Sequence, residues 1–86
     1  MAMKNKILIE LVVPEIEEKY NLYIPINKKV GNVIVLLIKA VKELSDGEFE
    51  GTQRTCIYNR LTGEKYAINS LILETNIRNG ASLVLI

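Results

Sequence analysis

The sequence predicts an α+β roll in which one helix packs on one face of one small sheet. Two observations carry this. Apolar residues recur at helical spacing in a single stretch, Val30 to Leu44. Short β-branched and aliphatic segments with turn signals between them lie on both sides of that stretch. With 86 residues, 49% of them hydrophobic, the chain has room for one domain spanning 1–86 and enough apolar material for a core. A lone amphipathic helix must bury its stripe against the only sheet available.

The elements follow in order. Ile7 to Val13 reads as a strand with Ile7, Ile9, Leu11 and Val13 on one face. Pro14 stops its ladder because proline has no backbone donor. Glu15 to Lys19 is a charged connection, and Tyr20 to Ile26 is a second strand with Leu22, Ile24 and Ile26 inward. Pro25 suits an edge or a strand end. In the helix, Val30, Val33, Ile34, Leu37, Val41 and Leu44 share one face, while Lys39, Lys42 and Glu43 take the other. Ser45-Asp46-Gly47 ends it. Glu48 to Gln53 is a polar loop, expected to cover Val35 or Leu36 with the help of Phe49.

Arg54 to Asn59 reads as a third strand, followed by a glycine turn at Leu61 to Glu64 and a very short strand over Lys65 to Ile68. Asn69 to Thr75 has no clear period and reads as irregular or a helical turn. Asn79-Gly80 is a turn signal, and Ala81 to Ile86 is the final strand. A hairpin, a crossing helix and a return of strands describe a β-grasp domain with a mixed sheet of four or five strands. Periodicity leaves the strand order open.

Composition narrows the chemistry. Eleven Lys and Arg against ten Asp and Glu leave a net charge of +1, which argues against bulk electrostatic affinity for nucleic acid or an anionic membrane. The apolar run after the basic start Met1 to Lys6 is short and broken by Glu10, unlike a signal-peptide core. No apolar run approaches the roughly 20 residues that span a bilayer. There is no histidine, so the commonest general base and metal ligand is missing. The single cysteine, Cys56, then reads as a small buried hydrophobe rather than a nucleophile. No carboxylate pair, metal spacing or phosphate-cradling glycine loop appears. The expectation is a cytoplasmic binding module with no catalytic activity, cofactor or metal.

The last third carries a family resemblance. Ser70-Leu71-Ile72-Leu73-Glu74-Thr75-Asn76-Ile77-Arg78-Asn79-Gly80 followed by Ala81 to Ile86 resembles the close of ubiquitin-like proteins. Val30-Gly31-Asn32-Val33 is similar to their Ile-x-Asn-Val at the helix start. Conjugated members and sulfur carriers end in a mobile Gly-Gly tail, whereas this sequence ends Leu83-Val84-Leu85-Ile86. The turn-Gly-x-x-Leu-x-Leu ending over Asn79 to Leu85 resembles the YukD/EsaB family, which accompanies WXG-type (type VII, ESX) secretion systems. That resemblance implies a non-conjugated accessory or regulatory protein, cytoplasmic and peripheral to a membrane-bound secretion complex, with secretion-system components as protein partners. The alternatives are a modifier or sulfur carrier whose glycine tail lies beyond this sequence, and a scaffold subunit of an unrelated complex. Neighbouring genes for WXG-type proteins and an FtsK-like ATPase separate the first from the last.

Alternation also marks a partner surface. If Ile7 and Ile9 face the helix, Leu8 and Val12 face away. Taking Cys56 and Tyr58 as inward puts Ile57 outward, and Val84 and Ile86 are outward in the last strand. Leu8, Ile57, Val84 and Ile86 would then form one exposed apolar patch rimmed by Arg54, Arg78 and Lys6. Such a patch docks a protein or a second copy of the chain, unless its residues are merely scattered surface aliphatics. On this reading Ile57→Glu leaves the fold intact and abolishes partner binding.

Overall fold

A computed structural model describes residues 5–86; Met1 to Lys4 of the basic start lie outside the described residues. The elements are β1 (Lys6–Val13), a 3-10 turn (Pro14–Ile16), β2 (Glu18–Pro25), α1 (Val30–Leu44), β3 (Ile57–Asn59), a second 3-10 turn (Ile72–Glu74) and β4 (Ser82–Leu85). They form one four-stranded sheet in the order β2-β1-β4-β3. β1 runs antiparallel to β2 and parallel to β4, and β3 runs antiparallel to β4. This mixed sheet with one helix on one face is the β-grasp arrangement. Pro25 ends the edge strand β2, where a missing donor costs the sheet little.

The core lies between the sheet and α1. Ile9, Leu11 and Val13 of β1, Ile24 of β2 and Leu83 and Leu85 of β4 meet Val30, Val33, Ile34, Leu37 and Val41 of the helix. Leu22 and Ile26 are half-buried against that core. Leu44 departs from the expected stripe and is exposed. The chain turns at its end, through Asp46 and Gly47 with positive φ, and carries Phe49 into the core instead.

The start of α1 has no side-chain cap. Its first amides donate to the carbonyls of Ser70 (2.8 Å) and Ile68 (3.0 Å), so a distant segment satisfies the orphan donors of the first turn. The segment 65–69 makes only an isolated bridge, Lys65 to Tyr58, in place of the expected very short strand. Tyr66 sinks into the core there, and its hydroxyl donates to Asn76 Oδ1 at 2.7 Å and accepts from Asn59 Nδ2 at 3.1 Å. A buried phenol needs such partners. The turn at Asn79-Gly80 clasps β1: Asn79 Oδ1 accepts from the Leu8 amide at 2.8 Å, and the Gly80 amide donates to the Leu8 carbonyl at 2.7 Å.

Candidate functional site: the outer face of the sheet

The face opposite α1 is built by strand register. In β1, burial of Ile9, Leu11 and Val13 puts Lys6, Leu8, Glu10 and Val12 outside. Val12 pairs with Val84, and Val84 pairs with Tyr58. One cross-strand row therefore reads Lys19, Val12, Val84, Tyr58 across all four strands.

Ile57 is not part of this face. It pairs with Leu85, and both are 0% exposed in the core. The parity assumed for β3 is inverted, because Cys56 and Ile57 are both buried and the strand proper holds only three residues. Tyr58, assigned inward from sequence, is the half-buried residue of the outer face. Cys56 is buried, in the core cluster.

The patch is also not continuous. The next row toward Leu8 is polar. Glu10 pairs with Asn21 and Ser82, its carboxylate accepts from Ser82 Oγ at 2.8 Å, and Arg60 Nη1 approaches the same oxygen at 3.4 Å. Leu8 lies beyond that row, paired with the exposed Tyr23. Leu8 and Val12 are four positions apart, about 13 Å along the strand. Ile86 extends the β3–β4 ladder by one pair with Cys56, and its side chain is exposed. The outer face thus holds two apolar islands, Leu8 with Tyr23 and Val12 with Val84 and Tyr58, divided by a hydrogen-bonded polar row.

The cations of the expected rim lie apart. Arg78 Nη1 donates to the carbonyls of Thr75 and Ile77 in its own turn, at 2.6 and 2.9 Å. Lys6 sits at the start of β1, on the Leu8 side of the face. Arg54 lines a different feature, a groove of about 900 Å³ between α1 and the segments 52–56 and 65–69. Sequence reasoning missed this groove. Its trace in the sequence is the pair Val35 and Leu36, off the helix stripe, one of which the loop is expected to cover. Instead Val35 and Leu36 are both exposed, and the loop closes over Ile38: a Cβ on Gly51 would lie 2.9 Å from an Ile38 methyl.

The surroundings of Tyr20 shift its ionisation. Desolvation, then the negative charges of Glu18 and Glu48, raise its phenol above the usual range. Among the described residues, no group of three or more His, Cys, Asp or Glu is placed to hold a metal, and no helix is long and apolar enough to cross a membrane.

No protein-family model matches the chain, and no curated protein matches it by sequence. Solved structures do match. The EccD5 ubiquitin-like domain from Mycobacterium xenopi is 15% identical, with a TM-score of 0.74 over 93% of this chain and 91% of that one. The ubiquitin-like domain of the Mycobacterium tuberculosis type VII secretion system protein EccD1 is 10% identical, with a TM-score of 0.72 over 100% of this chain and 99% of that one. A chain of the ESX-5 inner membrane complex matches at 14% identity and a TM-score of 0.68, over 94% of this chain and 20% of that one. Other solved structures of the same fold belong to unrelated systems, so at these identities the likeness establishes the ubiquitin-like β-grasp fold.

Proposed function

We propose that this chain is a non-catalytic, non-conjugated protein-docking module of a type VII secretion system, of the YukD/EsaB kind. It works in the cytoplasm, peripheral to the membrane-bound machine. The observation that carries the docking reading is the row Val12, Val84 and Tyr58, three apolar side chains from three strands on the face away from α1. A partner can bury them without disturbing the core. The secretion reading is supported by the likeness to the EccD1 and EccD5 ubiquitin-like domains, each over more than nine-tenths of both chains. A non-catalytic role is supported by the buried Cys56, which has no histidine anywhere in the chain to serve as its base.

The test is affinity capture from the native cell with wild-type and Tyr58→Glu baits. Secretion-system components recovered by wild type and lost by Tyr58→Glu support both parts of the reading. Components retained by Tyr58→Glu refute the sheet face as the docking site. A wild-type bait that recovers no secretion component refutes the assignment to that machine. The modifier alternative is decided separately, by whether the open reading frame encodes a glycine pair after Ile86.

A further inference from the structure

The groove beside α1 specifies its occupant more closely than the sheet face does. Ile34, Cys56 and Tyr66 are among its floor residues, each less than a tenth exposed. The apolar residues at its rim are not covered: Val35 is 65% exposed and Ile68 52%. A polypeptide laid along the groove would bury both of them together with the floor.

The walls offer such a polypeptide no strand edge, because segments 52–56 and 65–69 lie outside the four strands. One wall is a helix, whose amides and carbonyls bond internally. In the second, the Cys56 amide and carbonyl both pair with Ile86, Thr52 and Thr55 bond to each other, and the Arg54 amide donates to the Thr52 hydroxyl. In the third, the Tyr66 amide donates to Ile57, and the Ala67 and Ile68 carbonyls accept from Ser70 and Gly31. The backbone groups left free on these two walls belong to no strand, so an added strand would have no regular ladder to join. A helix satisfies its own backbone and needs only an apolar surface. Charge sets the rest: the lining residues include Arg54 and Lys65 and no Asp or Glu.

We propose that this groove docks an amphipathic helix of a partner protein, with its apolar stripe on Ile34, Val35, Ile38 and Ile68 and with carboxylates flanking that stripe to meet Arg54 and Lys65. The site is distinct from the outer sheet face and does not depend on which machine the protein serves.

The experiment displays a library of amphipathic helices, randomised at the apolar and flanking positions, and selects against the wild-type protein. Selected peptides are then measured by fluorescence anisotropy. The expected result is enrichment of Asp and Glu at the flanks. Binding weakens at least tenfold in Ile68→Asp and in Val35→Asp, exposed sites whose substitution leaves the thermal unfolding curve in place. Selection against the double variant Arg54→Glu, Lys65→Glu enriches Lys and Arg instead. Tyr58→Glu leaves peptide binding unchanged. The proposal is overturned if nothing is enriched, if the flanks are neutral or basic against wild type, or if the selected helices still bind Ile68→Asp. A concentration-dependent dimer of the protein itself, dissociated by Ile68→Asp in sedimentation velocity, also overturns it in favour of a second copy as occupant.

Discussion

Ile57 and Tyr58 are neighbours with opposite fates, and substituting each in turn tests the assigned register of β3. Ile57 is fully buried against Leu85, whereas Tyr58 stands on the outer face beside Val84. Ile57→Ala deletes roughly three carbons from a site with no exposure, about 2.4 kcal/mol of lost transfer energy at ~0.8 kcal/mol per buried carbon. The residual cavity brings the cost to about 3–4 kcal/mol. At roughly 0.05–0.15 kcal/mol per residue, a domain of this length has about 4–13 kcal/mol in total. The substitution should therefore lower Tm by roughly 12–30 °C, at about 4–8 °C per kcal/mol. Tyr58→Ala loses a cross-strand contact and partly exposed area, about 1 kcal/mol or less. Ile57→Glu, harmless on the alternation read from sequence, should not fold, because a carboxylate would be buried without a partner. Urea unfolding followed by circular dichroism, with equal m-values, measures the pair. A larger loss for Tyr58→Ala than for Ile57→Ala would refute the assigned parity and return Ile57 to the surface.

Three further outcomes are expected. Glu10→Leu removes the acceptor of Ser82 and Arg60, joins the two apolar islands, and should drive concentration-dependent self-association in sedimentation velocity with stability changed by less than about 1 kcal/mol. Gly51→Ala should cost more than Gly63→Ala in thermal unfolding: both have positive φ, worth about 1 kcal/mol, but only at Gly51 does the new Cβ press on Ile38. In a spectrophotometric titration Tyr20, identified by difference with Tyr20→Phe, should ionise above the usual tyrosine range, and Glu48→Gln should bring it partway back. Because the folded state holds that proton more tightly than the unfolded one, its contribution to stability is present below the unfolded pKa and is lost as pH rises through the folded one.

What could be read from the sequence was what local periodicity encodes. The helix bounds Val30 to Leu44 and the inward set of β1 match the structure because a 15-residue helix and an eight-residue strand each repeat their period several times. β3 repeats it barely once. Thr55, Cys56 and Ile57 are buried in succession, so alternation had no polar partner to mark the phase, and the outward residue was assigned one position too early. The groove was hidden for a different reason. Its walls come from three separate stretches, and the carbonyls of Ile68 and Ser70 that cap α1 hold one of them in place; no spacing within any one stretch records that approach.

The outer face shows the same limit with a consequence for docking. Parity alone makes Leu8, Val12 and Val84 look like one surface, because it says which side each residue faces but not how far one strand is shifted along another. The parallel register places Val84 beside Val12, four residues beyond Leu8. Glu10, Ser82 and Arg60, far apart in sequence, fall into the intervening row and bond to one another. An uninterrupted apolar sheet face invites pairing with a second copy. A polar row through its middle keeps each island small while leaving the Glu10 carboxylate at the border of the Val12–Val84–Tyr58 island. For a partner docked on this face as proposed above, complementarity requires an apolar group against the island and a group compatible with the Glu10 carboxylate at its border, a feature that alternation could not locate.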